Sequence, residues 1–307
     1  MVVRLFESLR AVFYTPYYLA LALRCYERRG LEVSLGRPER PADAALSVFN
    51  GSADVTWGGP MRMMQHIDRQ GGPGPDGKAD IVGFAEAVTR DPFYLVGREP
   101  LTAFTVRDLL GKRFASVSEV PTPWQCLADD LRRSGLDPQA LDRIDGRGMS
   151  ENADALRAGE LDVIQVFEPF VQTLVAEGSG HIWYSAASRG PTSYTTWYTS
   201  RAYAESNPQV LAALAAGLHD AQQWLHANPP AAIAEQVQPY FEEVAPEILA
   251  GAIERYRANG VWGRDPVLPV VGFVRLKSAL LAGGFIERDI PFDSCIDNRF
   301  ALQAIGR

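Results

Sequence analysis

One short pattern occurs twice and constrains the fold more than any other feature of the chain. Ala45-Leu46 leads to Gly51-Ser52-Ala53-Asp54-Val55, and Ala155-Leu156 leads to Gly159-Glu160-Leu161-Asp162-Val163. In both, a helical stretch stops at a glycine, the residue that takes a left-handed conformation most easily, and a buried strand begins at Asp-Val. The neighbourhoods repeat the same grammar. Residues 2–7 read as a strand, 13–18 as a turn-rich aromatic stretch, and 19–29 as a helix closed by Gly30. Residues 31–35 alternate as a half-buried strand, 42–49 read as a helix and 54–57 as the next strand. Later, 112–117 read as a strand, 123–134 as a helix stopped by Gly135, 152–158 as a helix and 161–166 as a strand. Strands alternating with helices at this spacing predict right-handed crossovers and mostly parallel sheets. A shared βαβ grammar accounts for the repeat as well as duplication does. Either way, two similar α/β lobes are expected.

The division between the lobes follows from two β-rich stretches, 93–97 and 194–199, that read as crossings. The expected fold is therefore two α/β lobes with mixed, mostly parallel sheets, joined by a two-strand hinge with a ligand cleft between them. Lobe I would comprise 1–92 plus 197–307, and lobe II 93–196. From Asn207 the chain turns to Ala- and Leu-rich helices, with Asn207-Pro208, Asn228-Pro229 and Ala245-Pro246 marking their starts. The Gly- and Pro-rich stretch 71–77 reads as an exposed connection.

Charge and composition exclude several classes. Thirty basic against 37 acidic residues leave a formal charge of -7, the wrong sign for a protein that must neutralise phosphates along a nucleic acid. No apolar run approaches the ~18 residues of a membrane span, so no membrane insertion is expected. Cys25, Cys126 and Cys295 are odd in number and far apart, so neither a disulfide framework nor a metal site is expected. The opening residues lack the basic-then-apolar profile of a secretory leader. The expected location is periplasmic if a leader preceding Met1 has been removed, and cytoplasmic if Met1 is the native start.

Aromatic residues crowd the turns after predicted strands: Phe13, Tyr14 and Tyr17, then Trp57, Trp124 and Phe167. Ligands of parallel sheets bind outside the carboxyl ends of the strands, and rings gathered there would wall a flat or apolar ligand. Gly58-Gly59-Pro60-Met61-Arg62 follows a strand with two glycines and a proline suited to the first helical turn. A helix begun there points free N–H groups and its positive dipole end at the cleft. Arg62 adds a planar donor fork for carboxylate, sulfonate or phosphate, or else pairs with a carboxylate across the lobe. In the second lobe, Thr122 can cap the helix opened by Pro123. Glu168 would either orient a ligand ammonium or amino group, or hold the lobes together by pairing with an arginine. Catalytic constellations are thin, with no nucleophile elbow, P-loop or His-Glu-x-x-His motif and four scattered histidines. Cys126 is placed in a first helical turn, which would lower a thiol pKa.

In order, "FYTPYYLAL", "RRGLEV", "NGSADVTWGG", "LLGKRFASVSE", "RSGLDP", "ALRAGELDVIQVFEPF" and "SNPQVLAALAAGLHDAQQWLHANP" resemble the type II solute-binding proteins of ABC importers. The branch is the one with nitrate, sulfonate and taurine binders and thiamine-pyrimidine synthases, and the resemblance covers nearly the whole chain. It implies a type II periplasmic-binding-protein-like fold whose lobes close on a small ligand, with an ABC permease as partner. One-to-one capture needs only a monomer. By position, the resemblance places Tyr14, Tyr17, Trp57, Gly58, Gly59 and Arg62 in the cleft from one lobe. Glu119, Thr122, Trp124, Phe167 and Glu168 come from the other, with Tyr194 near the hinge. The cysteine-rich run of the synthase branch has no counterpart here. No lysine stands out for pyridoxal phosphate, and the stretch where that branch uses a histidine carries Gly59–Arg62, with His66 a turn beyond. Pyrimidine synthesis is not expected, nor is a cofactor. The expected function is capture of a small planar, aromatic or heterocyclic anion. The alternative is a leaderless enzyme on the same scaffold acting on an aromatic acid or pyrimidine-related compound, with Cys126, His66 and Glu119 as its candidates. A ligand sensor for a regulator would use the same cleft.

Overall fold

The computed structural model describes residues 2–40 and 43–307. Strands β1 (Val2–Glu7), β2 (Glu32–Gly36), β3 (Val55–Gly58) and β4 (Ile81–Val88) belong to a first sheet. Then β5 (Tyr94–Gly97), β6 (Arg113–Ala115), β7 (Asp142–Ile144), β8 (Val163–Val166) and β9 (His181–Ser185) make a second, and β10 (Thr195–Ser200) returns to the first. Their orders, β2-β1-β3-β10-β4 and β7-β6-β8-β5-β9, are the same topology. In each, three strands run parallel and the strand arriving from the other lobe inserts antiparallel beside the third. The helices are α1 (Thr15–Ala22), α2 (Ala44–Ser47), α3 (Pro60–Arg69), α4 (Thr122–Arg133), α5 (Met149–Arg157), α6 (Phe170–Ala176) and α7 (Arg201–Ser206). They are followed by α8 (Pro208–Ala227), α9 (Pro230–Val237), α10 (Pro246–Ala258), α11 (Val270–Ala282), α12 (Phe292–Cys295) and α13 (Arg299–Ala304). Among the described residues, no helix is long and apolar enough to cross a membrane.

The repeated Gly…Asp-Val pattern has a structural cause. Asp54 accepts from the Arg4 backbone N–H at 2.8 Å and from its guanidinium at 2.6 Å, and Arg4 also reaches the Gly51 carbonyl. Asp162 likewise accepts from the Arg113 backbone at 3.0 Å and its guanidinium at 2.7 Å, while Arg113 donates to the Gly159 carbonyl at 2.9 Å. Each clamp fixes the start of a core strand and the glycine turn before it to the strand alongside.

Two local expectations give way to long-range packing. The helix expected over 19–29 instead runs Thr15–Ala22 and reverses at Arg24, whose φ is 54°. The reversal seats the Tyr26 ring against Gly217 of α8, where a Cβ would lie 2.5 Å from the ring. Cys25, expected mid-helix, therefore lies beyond α1, though it is buried. Strand β4 was not foreseen, because all eight of its residues are buried and none alternates. The expected start at 42 of the helix that appears as α2 lies outside the described residues.

Ion pairs tie the two sheets together around a shared apolar core. Arg189, in the segment from β9 to β10, binds Asp91 in the segment from β4 to β5 at 2.7 Å and Asp130 of α4 at 2.6 Å. Arg275 of α11 donates to the Arg189 carbonyl. On another side, Arg255 of α10 pairs with Glu168, just after β8, and donates to Gln172 at 2.7 Å.

Candidate functional site

The turns after β1 and β3 and the start of α4 meet at one small cavity. Ser8, Leu9, Phe13 and Tyr14 come from the loop after β1. Gly59, Met61 and Arg62 come from the start of α3, Val120 and Thr122 from the start of α4, and Phe93 and Tyr194 from the two crossing segments. These are carboxyl-end positions of the sheets, where loops converge. Both helices present uncapped N-termini: Gly59 and Pro121 stand at their N-caps with no side-chain hydrogen bond, and each helix has a proline in its first turn. Thr122 reaches across, its Oγ1 lying 4.0 Å from where a Gly59 Cβ would stand. A Cβ on Gly58 would stand 3.0 Å from the Tyr198 hydroxyl and 3.4 Å from Ser8 Oγ, so glycine there lets the hydroxyls sit behind the turn.

Every polar side chain lining the cavity can donate, and none is a carboxylate. The Ser8 and Tyr14 hydroxyls lie 3.1 Å apart. Burial pushes the Tyr14 phenol up to about 12, so it keeps its proton. The Tyr194 hydroxyl is buried with no partner among the described residues, and burial raises it further still. Arg62 is half-buried and makes no salt bridge among the described residues; its one side-chain hydrogen bond goes to Gln65 at 3.4 Å. Burial pulls its guanidinium below its ordinary value and Arg69 adds to this, while Tyr198 and Asp43 oppose it. No salt bridge among the described residues closes on this partly desolvated guanidinium, Asp43 acting on it only through space, so it can receive an anion. Leu9, Phe13, Met61, Phe93 and Val120 supply apolar wall.

Of the expected cleft residues, Tyr14, Gly59, Arg62, Thr122 and Tyr194 meet at this cavity, with Gly58 directly behind. The others do not line it, each for a definite reason. Tyr17 and Trp57 are fully buried and stacked on one another at 4.8 Å, with Trp197 edge-on to both, so they are core of the first lobe. Trp124 packs outward under the Arg143 guanidinium, 4.2 Å from its ring centre. Glu119 accepts from the Met149 N–H at 2.8 Å at the start of α5. Glu168 is wholly buried by its pairing with Arg255, the second of its two expected roles. Phe167 meets Phe13 edge-on at 5.2 Å but faces a different groove.

The enzyme candidates also stand apart from the cavity. Cys126 is buried, and burial pushes its thiol well above the ordinary value, against the lowering expected from its helical turn. His66 stacks on Phe49 at 4.7 Å and contacts Asp80 at 3.0 Å. Ser8, Leu9, Met61, Phe93 and Val120 were missed as lining residues. Ser8 and Leu9 follow β1 as Gly58-Gly59 close β3, so the carboxyl-end rule applied to every strand would have found them.

Two sheets of one topology with a donor-lined cavity between them define a two-lobed, periplasmic-binding-protein-like chain. It belongs to the NMT1/THI5-like family, whose model matches residues 13–232. It is similar to "Putative binding protein YtlA" of Bacillus subtilis (strain 168), 24% identical over 301 residues, 97% of this chain and 88% of that one. The periplasmic aliphatic sulphonate binding protein SsuA from Escherichia coli shares its fold at a TM-score of 0.77 and 14% identity, covering 100% of this chain and 99% of that one. The desulfurization enzyme DSZB shares it at 0.67 and 14% identity, with 100% and 99% covered.

Proposed function

We propose that the chain is a solute-binding protein of the ABC-importer type, and that it captures a small organic anion between lobe I (1–92 plus 197–307) and lobe II (93–196). The observation that carries this reading is the half-buried Arg62 guanidinium, which closes no salt bridge among the described residues, beside a cavity whose polar side chains can all donate. The anionic head would lie against the starts of α3 and α4, with Ser8, Tyr14, Thr122 and Tyr194 as hydroxyl donors. Because donors come from both lobes, full affinity exists only when they are together, and binding favours the closed arrangement. Membership of the NMT1/THI5-like family and the names of YtlA and SsuA support a binding role. An ABC permease would then be the partner. The enzyme alternative is less well supported, because Cys126, His66 and Glu119 all stand outside the cavity.

The test is calorimetric titration with sulfonates, carboxylates and phosphate esters of matched size, alongside neutral and ammonium analogues. Anions should bind and the others should not. Arg62→Ala should weaken the best anion by ten- to a hundredfold, a loss of about 1.5–3 kcal/mol for a charge-assisted hydrogen bond. Thr122→Val should cost less. Unchanged affinity in Arg62→Ala, or preferential binding of neutral compounds, would sink the anion reading.

A further inference from the structure

Away from the cavity, α9, α10 and the short turn between them leave a surface groove of about 750 Å³. Its floor is Ala231, Ala234, Pro239, Pro246 and Ala250. The alanines end at Cβ, so a third helix can approach the pair at the roughly 8–10 Å axial spacing of packed helices.

Glu235, Glu242 and Glu247 stand exposed around this floor. Among the described residues, none of the three enters a salt bridge or a side-chain hydrogen bond, and no lysine, arginine or histidine lines the groove. Glu247 has a reason within its own helix, since a carboxylate in the first turn of α10 suits the positive dipole end. Glu235 has none. It sits in the last turn of α9, at the negative dipole end, where a carboxylate is unfavourable. Gln238 extends the pattern. Its amide nitrogen donates to the Phe241 and Val244 carbonyls at 2.8 Å, and its amide oxygen is buried without a partner among the described residues. The polar side-chain atoms left to bond in this groove are therefore all acceptors, the reverse of the donor-lined cavity.

The groove's construction selects its occupant. An extended strand docks through its backbone, and a pair of helices offers no free sheet edge to meet it. A helix satisfies its own backbone and needs only an apolar stripe against the floor. Anionic lipid and nucleic acid are repelled by the rim.

We propose that this groove docks a cationic amphipathic helix of a partner protein. Its apolar face lies on the alanines and prolines, and lysines or arginines on its flanks meet Glu235, Glu242 and Glu247. Every lining residue comes from 231–250, with none from the stretch that builds the second sheet. Docking is therefore independent of how the two sheets approach and of what the cavity between them holds.

The experiment is fluorescence anisotropy of the full chain with a labelled peptide of about 15 residues, long enough for a marginal helix in isolation. Alanines and leucines form one face of the peptide, and lysines flank it. A second peptide carries glutamate for lysine, and a third has two central prolines that break the helix. The lysine peptide should bind, weakening about threefold or more between about 50 and 200 mM salt. The other two should bind at least about tenfold more weakly. Ala231→Trp and Ala250→Trp fill the floor from opposite helices, at an exposed and a half-buried position. Each should weaken the lysine peptide by a similar factor, as should Glu235→Lys, Glu242→Lys and Glu247→Lys combined. Arg189→Met, which cuts the ion pairs to Asp91 and Asp130, should bind it as wild type does. No binding of the lysine peptide, equal binding of the proline peptide, or binding that the tryptophans and the triple reversal leave intact overturns the docking site. A loss in Arg189→Met overturns its independence of the sheets. Sedimentation of wild type as a dimer that Ala250→Trp makes monomeric would give the groove to a second copy and overturn the partner helix.

Discussion

Glu86, in the middle of β4, is wholly buried. One carboxyl oxygen accepts from the Ser193 hydroxyl, and the other has no partner among the described residues. Burial pushes its pKa from an ordinary 4.5 up to about 8. Between about 4.5 and 8 the folded chain holds a proton there that the unfolded chain has released, so this group's contribution to stability is full below about 4.5 and is lost as pH rises through about 8. Glu86→Gln should flatten that part of the profile and be the more stable protein at pH 8. Urea midpoints at pH 5, 6.5 and 8 read it, and parallel curves for the two proteins would show that Glu86 does not titrate this way. Glu168 differs because it has a partner. Burial raises it while the Arg255 guanidinium pulls it down. Arg255→Ala leaves that carboxylate buried alone and should cost about 3–5 kcal/mol, with Glu168→Gln milder because it removes the stranded charge. If the two cost the same, the charge is not what the pairing serves.

Among the elements, the repeated Arg–Asp clamps invite a paired measurement. Asp54→Ala and Asp162→Ala each remove an acceptor for one backbone N–H and one guanidinium, and should each lower stability by about 1–2 kcal/mol. A loss confined to one would show that the two starts of strand are not equivalent. These clamps also mark what could be read beforehand. The Gly…Asp-Val signature was visible in the residues, and so were most strands and helix starts, because they depend on local pattern and turn chemistry. The Arg partners were not visible, since Arg4 and Arg113 stand 50 and 49 positions from their aspartates. The aromatic turns show the same boundary more sharply. Tyr14 follows one expected strand and Trp57 ends another, yet one lines the cavity and the other stacks with Tyr17 and Trp197. Which way each ring turns is decided by β10, brought in antiparallel beside β3 from far along the chain. The location of the cavity was therefore legible, and only part of its lining was.

At the scale of the molecule, the waist decides how the halves communicate. Arg189 ties both crossing segments to α4 through Asp91 and Asp130, with its side chain only 8% exposed. Arg189→Met should destabilise the chain by about 3–5 kcal/mol, because it strands the buried Asp91 without a counter-ion. It should also loosen the relation between the lobes. Small-angle scattering of the ligand-free variant would read that as a larger radius of gyration than wild type, and an unchanged radius would confine the role of Arg189 to stability.

The exchanged strands also set an order of assembly during synthesis. The second sheet is drawn from one uninterrupted stretch, β5 to β9, whereas the first needs β10 between β3 and β4. A nascent chain that has reached residue 190 already holds every strand of the second sheet but still lacks an interior strand of the first. The lobe that begins first on the ribosome is therefore the last to close, and its exposed β3 and β4 edges must be kept from pairing with other chains until residue 200 has emerged.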